Sequence, residues 1–194
     1  RSDAAIFLYN DLASTIGVKR YHYIPCGVDF EVFKPMEKSV ARDYFGFDQE
    51  KKYILFSSHF SNTIKNYPLA QEALEKIPGE KPEIIELKGY DREDVAKLMN
   101  AADLALLTSK SEGSPQFIKE AMACNVPIVS TDVGDVRELI GSTEGCHVCN
   151  HDSDQIGKRI EEVLTFGKRT NGREKLKNLD LEVITDQIIK VYEK

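Results

Sequence analysis

The sequence predicts an α/β protein, an open parallel sheet with helices on both faces. Three observations carry that prediction. From residue 53 onward, short apolar runs alternate with segments of helical period. Two of those runs, LALLT at 104–108 and PIVST at 127–131, lack polar alternation, as strands covered on both faces do. Strands and helices in strict succession imply βαβ units, and right-handed crossovers turn such units into a Rossmann-like sheet.

The elements follow in order. AAIFLYNDLASTIGV reads as a short strand, a turn and a short helix closed by Gly17. YHYIP is a second short strand ending at Pro25, and CGVDFEVFKPMEKS reads as a linker because it has no clean period. ARDYFGF offers a helical turn or two. YILFS at 53–57 is the first strand of the rhythmic region. The helix at 67–77 puts Leu69, Ala73, Leu74 and Ile77 on one face, with Pro68 in its first turn. EIIEL at 83–87 is the next strand, and a helix over 91–102 carries a Val95, Leu98, Met99 and Ala102 stripe behind an Asp91 cap. After strand 104–108 come the loop SKSEGSP and the helix QFIKEAMAC. After strand 127–131 comes a short helix at 135–140, a last strand at 146–149, and helices near 152–166 and 180–192.

Composition narrows the function classes. A chain of 194 residues buries one sizeable core with a small appendage. Hydrophobic residues at 41% and charged residues at 30% exclude a disordered or fibrous chain. A net charge of -6 argues against a nucleic-acid partner. No apolar run approaches the ~20 residues that span a bilayer. The opening residues have no signal-peptide pattern and no initiating Met, so a piece of a longer protein is expected. Cys26, Cys124, Cys146 and Cys149 are not spaced as a disulfide scaffold, which suits a reducing cytoplasm. Cys146-x-x-Cys149 with His147 and His151 nearby invites a metal reading, but the second ligand pair that zinc wants is missing, so structural thiols and no metal are expected.

Ligands of such sheets sit beyond the C-terminal strand ends, in loops 57–67, 88–91, 109–115 and 131–135. Loop 109–115 is the most informative. Gly113 permits a tight turn, Ser114 can cap the helix, and the N–H groups of residues 114–117 would make an anion site suited to a diphosphate. An ordinary capped helix start remains the alternative. Glu112 and Glu120 would bracket that site and hold sugar hydroxyls; otherwise they are two solvated glutamates. Lys65 and Lys88 follow the first two core strands, where a lysine neutralises phosphate or simply faces solvent. His59 lies at the same edge as a hydrogen-bond donor. Gly89 and Gly134 allow close backbone approach to a ligand, or make turns.

These loops resemble a known family. SKSEGSPQFIKEAMACNVPIVSTDVGDVRELI is similar to the donor-binding signature of GT-B retaining glycosyltransferases of the sucrose-synthase and bacterial mannosyltransferase and glucosyltransferase type, the glycosyl transferases group 1. The matching residues are Ser109, the Glu112-x7-Glu120 pair, Ala121-Met122-Ala123, Pro127 to Thr131 and Gly134. YIPCGVDFEVF, IKNYPLAQEAL and VAKLMNAADLALLTS resemble the family's linker, first helix, and later helix and strand, in family order over residues 2–165. The sequence departs from the pattern at Phe60, where the family has Arg, and at Cys26, Val126 and Asp135, where it has Asn, Gly and Gly.

The resemblance implies roles. Glu120 would bind the donor ribose, Glu112 the donor sugar beside the reacting centre, and Lys65 the diphosphate. The backbone around Gly113, Ser114, Gln116 and Phe117 would line the phosphate and sugar site. Gly89 and Lys88 would lie near the base; at the absent Arg, either His59 partly stands in or the loop is rearranged. The substrate would be a nucleoside diphosphate sugar and no metal or other cofactor would be needed. Residues 1–26 would be the tail of an N-terminal domain, 27–170 the donor-binding domain, and 171–194 a helix crossing back to that first domain. The missing domain would supply the site for a glycan or lipid-linked acceptor. The piece would be inactive alone, cytoplasmic or peripheral on the inner membrane face, and able to self-associate through an exposed C-terminal helix. A non-catalytic nucleotide-binding domain and a sugar-nucleotide epimerase on the same fold are the alternatives.

Overall fold

The structure, a computed structural model, describes residues 5–8 and 21–193. The helix expected to end at Gly17 lies outside them. Two short strands, β1 (Ala5–Phe7) and β2 (Tyr21–Tyr23), pair in parallel, with Ile6 opposite His22. The segment after Pro25 is irregular, as its lack of period implies. Asp29 organises it by accepting the N–H groups of Glu31 and Val32. Helix α1 (Lys38–Phe45) follows and stops at Gly46, whose φ of +67° suits the residue without a Cβ. It starts three residues ahead of the expected ARDYFGF turn. Arg42 in α1 is buried, and its guanidinium meets the Asp103 carboxylate at 2.7 Å.

The main sheet holds β3 (Tyr53–Phe56), β4 (Glu83–Ile85), β5 (Leu104–Leu107), β6 (Ile128–Thr131) and β7 (Cys146–Cys149), all parallel, in the order β4-β3-β5-β6-β7. Leu55 sits between Ile85 and Ala105 across the ladder, and Leu106 lies opposite Val129. Side chains alternate between two cores, which is why the central strands read as unbroken apolar runs. Leu55, Ala105 and Leu107 point into one core with α3 (Arg92–Ala101) and α4 (Gln116–Ala123). Ile54, Phe56, Leu104 and Leu106 point into the other with α2 (Tyr67–Glu75) and α6 (Ser153–Phe166). Leu106 is wholly buried, so truncating it to Ala would cost about 2–5 kcal/mol.

Several boundaries differ from the sequence reading for identifiable reasons. Strand β4 stops at Ile85, because the Glu86 carboxylate turns back to accept the Phe60 N–H at 2.8 Å. Helix α2 ends at Glu75, where Lys76 and Ile77 donate to carbonyls three residues back and tighten the last turn. Asp91 caps α3 as expected, accepting from the Asp94 N–H at 2.8 Å. After α5 (Val136–Ile140) and α6, the chain makes a short α7 (Gly172–Lys175) and a 3-10 turn (Lys177–Leu179) that the sequence did not announce. Arg173 explains them: its guanidinium donates to the carbonyls of Phe33, Phe30 and Ala123.

Helix α8 (Leu181–Tyr192) closes the described chain. Leu181 and Ile189 are 44% and 47% exposed, in keeping with an exposed C-terminal helix, but Ile184 is buried. It packs where a Cβ on Gly27 would sit, 3.2 Å from its side chain. Val28 donates to the Leu179 carbonyl at 2.8 Å and accepts from the Leu181 N–H at 3.0 Å.

Candidate functional site at the switch point of the sheet

The strand order reverses at β3: the chain runs outward to β4 and then returns past β3 to β5. A crevice therefore opens between the C-terminal ends of β3 and β5. The loops after those strands meet there. Lys110 N–H donates to Ile64 O at 2.9 Å, and the Thr108 hydroxyl donates to the Lys65 and Asn66 carbonyls at 2.9 and 3.1 Å. Asn66 adopts a left-handed φ of 54° to start α2. These contacts fix the backbone at Lys65.

Lys65 and Glu112 come together. Lys65 Nζ lies 2.6 Å from Glu112 Oε1, with the side chains 20% and 15% exposed. The Ser109 hydroxyl donates to the same oxygen at 2.6 Å. Beneath them, the Ser109 carbonyl accepts from Thr131 Oγ1 and faces His151 Nε2, each at 2.8 Å. A half-buried ammonium at the switch point, held by one carboxylate, is suited to exchange that carboxylate for a phosphate.

The turn into α4 stands beside this pair. Gly113 is exposed, and Gly134 (φ +55°) crosses it so closely that a Cβ there would lie 2.1 Å from Gly113 O. The Asp135 N–H donates to the same carbonyl at 3.1 Å. Ser114 does not cap α4, contrary to the sequence reading. Pro115 holds the cap position, and the Ser114 hydroxyl donates instead to Asp135 Oδ2 at 2.6 Å, a charged acceptor that outcompetes a backbone cap. With no side-chain cap, the first-turn N–H groups at Gln116 and Phe117 face the crevice end of the helix. The Phe117 ring itself is in the core, and the Gln116 amide donates to Gly27 O at 2.9 Å.

Glu120 sits apart from the Lys65–Glu112 pair, on the second turn of α4. Burial raises its carboxyl above the ordinary range, and the charge of Arg92 opposes that rise. Arg92 in turn pairs with Asp29 at 3.3 Å. His59 is exposed and its ring pairs with Ser61 Oγ at 2.9 Å within its own loop. Lys88 and Gly89 are exposed after β4, and Gly89 has a φ of +79° with open space where a Cβ would be. Phe60 stacks on Tyr67 at 3.8 Å.

The sequence reading missed Thr108, Thr131, Arg92, Lys119 and His151 as neighbours of the site. Thr108 and Thr131 each end an apolar strand with a hydroxyl, a signal that was on the page. Lys119 carried none, because a lysine between Ile118 and Glu120 reads as surface; it is wholly buried. Cys146 and Cys149 belong to the cores on opposite faces of the sheet, so the two thiols diverge. Burial pushes their pKa values up to about 12 and about 11. Among the described residues no group of three His, Cys, Asp or Glu side chains is placed to hold a metal.

Comparison with known proteins bears on the family and the fold. The family model described as glycosyl transferases group 1 matches residues 53–165. A D-inositol 3-phosphate glycosyltransferase of Mycobacterium marinum is 26% identical over 175 residues, which cover 75% of this chain and 37% of that protein. Among solved structures, a sucrose-phosphate synthase from Thermosynechococcus elongatus superposes with a TM-score of 0.86 at 20% identity, over 100% of this chain and 58% of its own. HepE of Anabaena, in complex with UDP, gives 0.82 at 18% identity, over 97% of this chain and 63% of its own. The chain thus spans little more than a third of the length of that curated relative. It belongs to the glycosyl transferases group 1 family, and its sheet is the Rossmann-like half of a GT-B fold.

Proposed function

We propose that this chain is the donor-binding half of a retaining hexosyltransferase. That enzyme moves a sugar from a nucleoside diphosphate to a glycan or lipid-linked acceptor. The observation that carries the reading is the Lys65–Glu112–Ser109 cluster at the switch point, beside the uncapped start of α4. Lys65 leaves Glu112 to hold the diphosphate. The N–H groups of Gln116 and Phe117 complete the anion site and stabilise the leaving group's charge without a metal. Glu112, freed from Lys65, turns to the donor sugar beside the reacting centre. Glu120 accepts hydrogen bonds from the ribose, and Gly89 with Lys88 borders the base. His59 donates a hydrogen bond to the phosphates from the edge of the same crevice.

Residues 1–26 form the tail of an N-terminal domain, 27–170 the donor domain, and 171–194 the return to the first domain. The half-exposed stripe of α8 packs there, or against a second copy of the chain. Transfer needs both halves, because the acceptor site belongs to the other one. No helix of the described residues is long and apolar enough to cross a membrane. On this reading the enzyme works in the cytoplasm or peripherally on the inner face of the membrane.

Calorimetric titration with UDP, GDP and ADP tests the reading. One of the three binds, and Glu120→Ala abolishes that binding while the fold persists. Failure of all three to bind overturns the donor reading in favour of a domain without a nucleotide site.

A further inference from the structure

His151 is an exposed residue whose ring turns inward to a wholly buried one, Ser109. It stands just beyond β7, where the start of α6 pins the chain on both sides of it. The Asn150 N–H donates to Gln155 Oε1 at 2.7 Å, and the Asp152 carboxylate accepts the Gln155 N–H at 2.8 Å. The ring nitrogen Nε2 lies 2.8 Å from the Ser109 carbonyl oxygen, 42 residues away in sequence. A carbonyl only accepts, so Nε2 carries the proton. The Thr131 hydroxyl donates to the same oxygen at 2.8 Å. A carbonyl oxygen has two lone pairs, and these donors, from the ends of β6 and β7, use both.

Ser109 carries that restraint into the site. Its hydroxyl donates to Glu112 Oε1 at 2.6 Å, the oxygen that also meets Lys65 Nζ. The Glu112 carboxylate is thus held from two sides while the crevice is empty. When Lys65 turns to a diphosphate, the Ser109 hydroxyl is its one remaining side-chain partner among the described residues. Glu112 Oε2 takes no hydrogen bond among the described residues, which leaves it for a sugar hydroxyl. The placement of Glu112 in the loaded site then depends on Ser109, and that of Ser109 on the donors that grip its carbonyl.

We propose that His151 is a positioning residue of the donor site. By holding the Ser109 carbonyl it fixes the Ser109 hydroxyl, which keeps Glu112 in place for the sugar once Lys65 has left it. This rests on the donor reading above, and the experiment separates the two. Calorimetry compares each nucleotide with a sugar conjugate: UDP with UDP-glucose, GDP with GDP-mannose, ADP with ADP-glucose. His151→Phe keeps a ring and loses the donor. It binds the nucleotide within about twofold of the wild type, because Lys65 and the start of α4 are untouched, and the conjugate about fivefold more weakly. His151→Gln, whose amide nitrogen has the reach of Nε2, returns the conjugate to within about twofold of the wild type. Ser109→Ala weakens the conjugate, and adding His151→Phe to it has no further effect. Equal weakening of nucleotide and conjugate overturns the proposal and leaves a bond that serves the fold alone. So does a His151→Phe protein that binds the conjugate like the wild type, a His151→Gln protein that does not restore it, or losses that add in the double variant. A wild type that binds a nucleotide but no conjugate overturns it too, since Glu112 then holds no sugar. If no nucleotide binds the wild type, the donor reading itself fails and the proposal falls with it.

Discussion

Replacing Lys65 with methionine separates what the Lys65–Glu112 pair does for the fold from what it does for a ligand. The side chains are 20% and 15% exposed and 2.6 Å apart. Exposed pairs contribute about 0.2–1 kcal/mol, and breaking a fully buried one costs about 3–5 kcal/mol. A pair at this depth falls between, so Lys65→Met destabilises by about 2 kcal/mol, mostly by leaving Glu112 charged and half-buried. For a chain of this size that lowers Tm by about 6 °C. Adding Glu112→Gln recovers most of the loss, because the amide oxygen still accepts from Ser109. Nucleotide binding follows a different course. Losing a charge-assisted contact to phosphate weakens it about thirtyfold, and the double variant does not regain it. Thermal melts and calorimetry with UDP, on wild type and on single and double variants, read both effects. A double variant that binds UDP like the wild type would refute the phosphate role. A single variant that melts with the wild type would refute the energetic account of the pair.

Glu120→Gln should stabilise the fold at neutral pH and weaken nucleotide binding at least tenfold. Its folded pKa is raised, so its contribution is favourable below the unfolded value and is lost as pH rises through the folded one. Melts of the two proteins therefore converge below about pH 4 and separate at pH 7. Gly134→Ala meets both a φ of +55° and a backbone oxygen 2.1 Å away, and should cost about 3 kcal/mol in urea unfolding. Gly113→Ala, with nothing within 4 Å, should stay within about 0.5 kcal/mol. Cys124 and Cys146 have pKa values pushed up to about 12, so about one thiol in ten thousand is ionised at pH 8. A thiol reagent should leave both unlabelled in the native protein and label them in denaturant.

The sheet was legible where burial on both faces writes itself into the chain, as at Leu104–Leu107 and Ile128–Thr131. The loop after β5 was legible because Gly113 and Pro115 are strong local punctuation. What stayed hidden depends on partners distant in sequence. Nothing near Lys65 announces Glu112, 47 residues away. Ser114 reads as a cap by every local rule, and it fails as one because a carboxylate 21 residues on competes for its hydroxyl. Helix α7 has the same origin, since carbonyls of Phe30 and Phe33 hold Arg173 from 143 and 140 residues away. Lys119 shows the limit most sharply: its neighbours imply surface, and only the fold buries it.

The clasp between Val28 and the Leu179–Leu181 stretch bears on how the molecule moves. Strand bonds run both ways across it, at 2.8 and 3.0 Å, and α8 packs so close to Gly27 that a Cβ there would lie 3.0 Å from Leu181 Cα. The five-stranded unit is thus approached and left by the chain at one place. A body tethered at two separate points twists only by stretching a tether, whereas one tethered at a single point swings as a door does on one post. Rotation about residues 24–28 would carry the whole crevice, Lys65 and Glu112 included, without disturbing a single bond of the sheet.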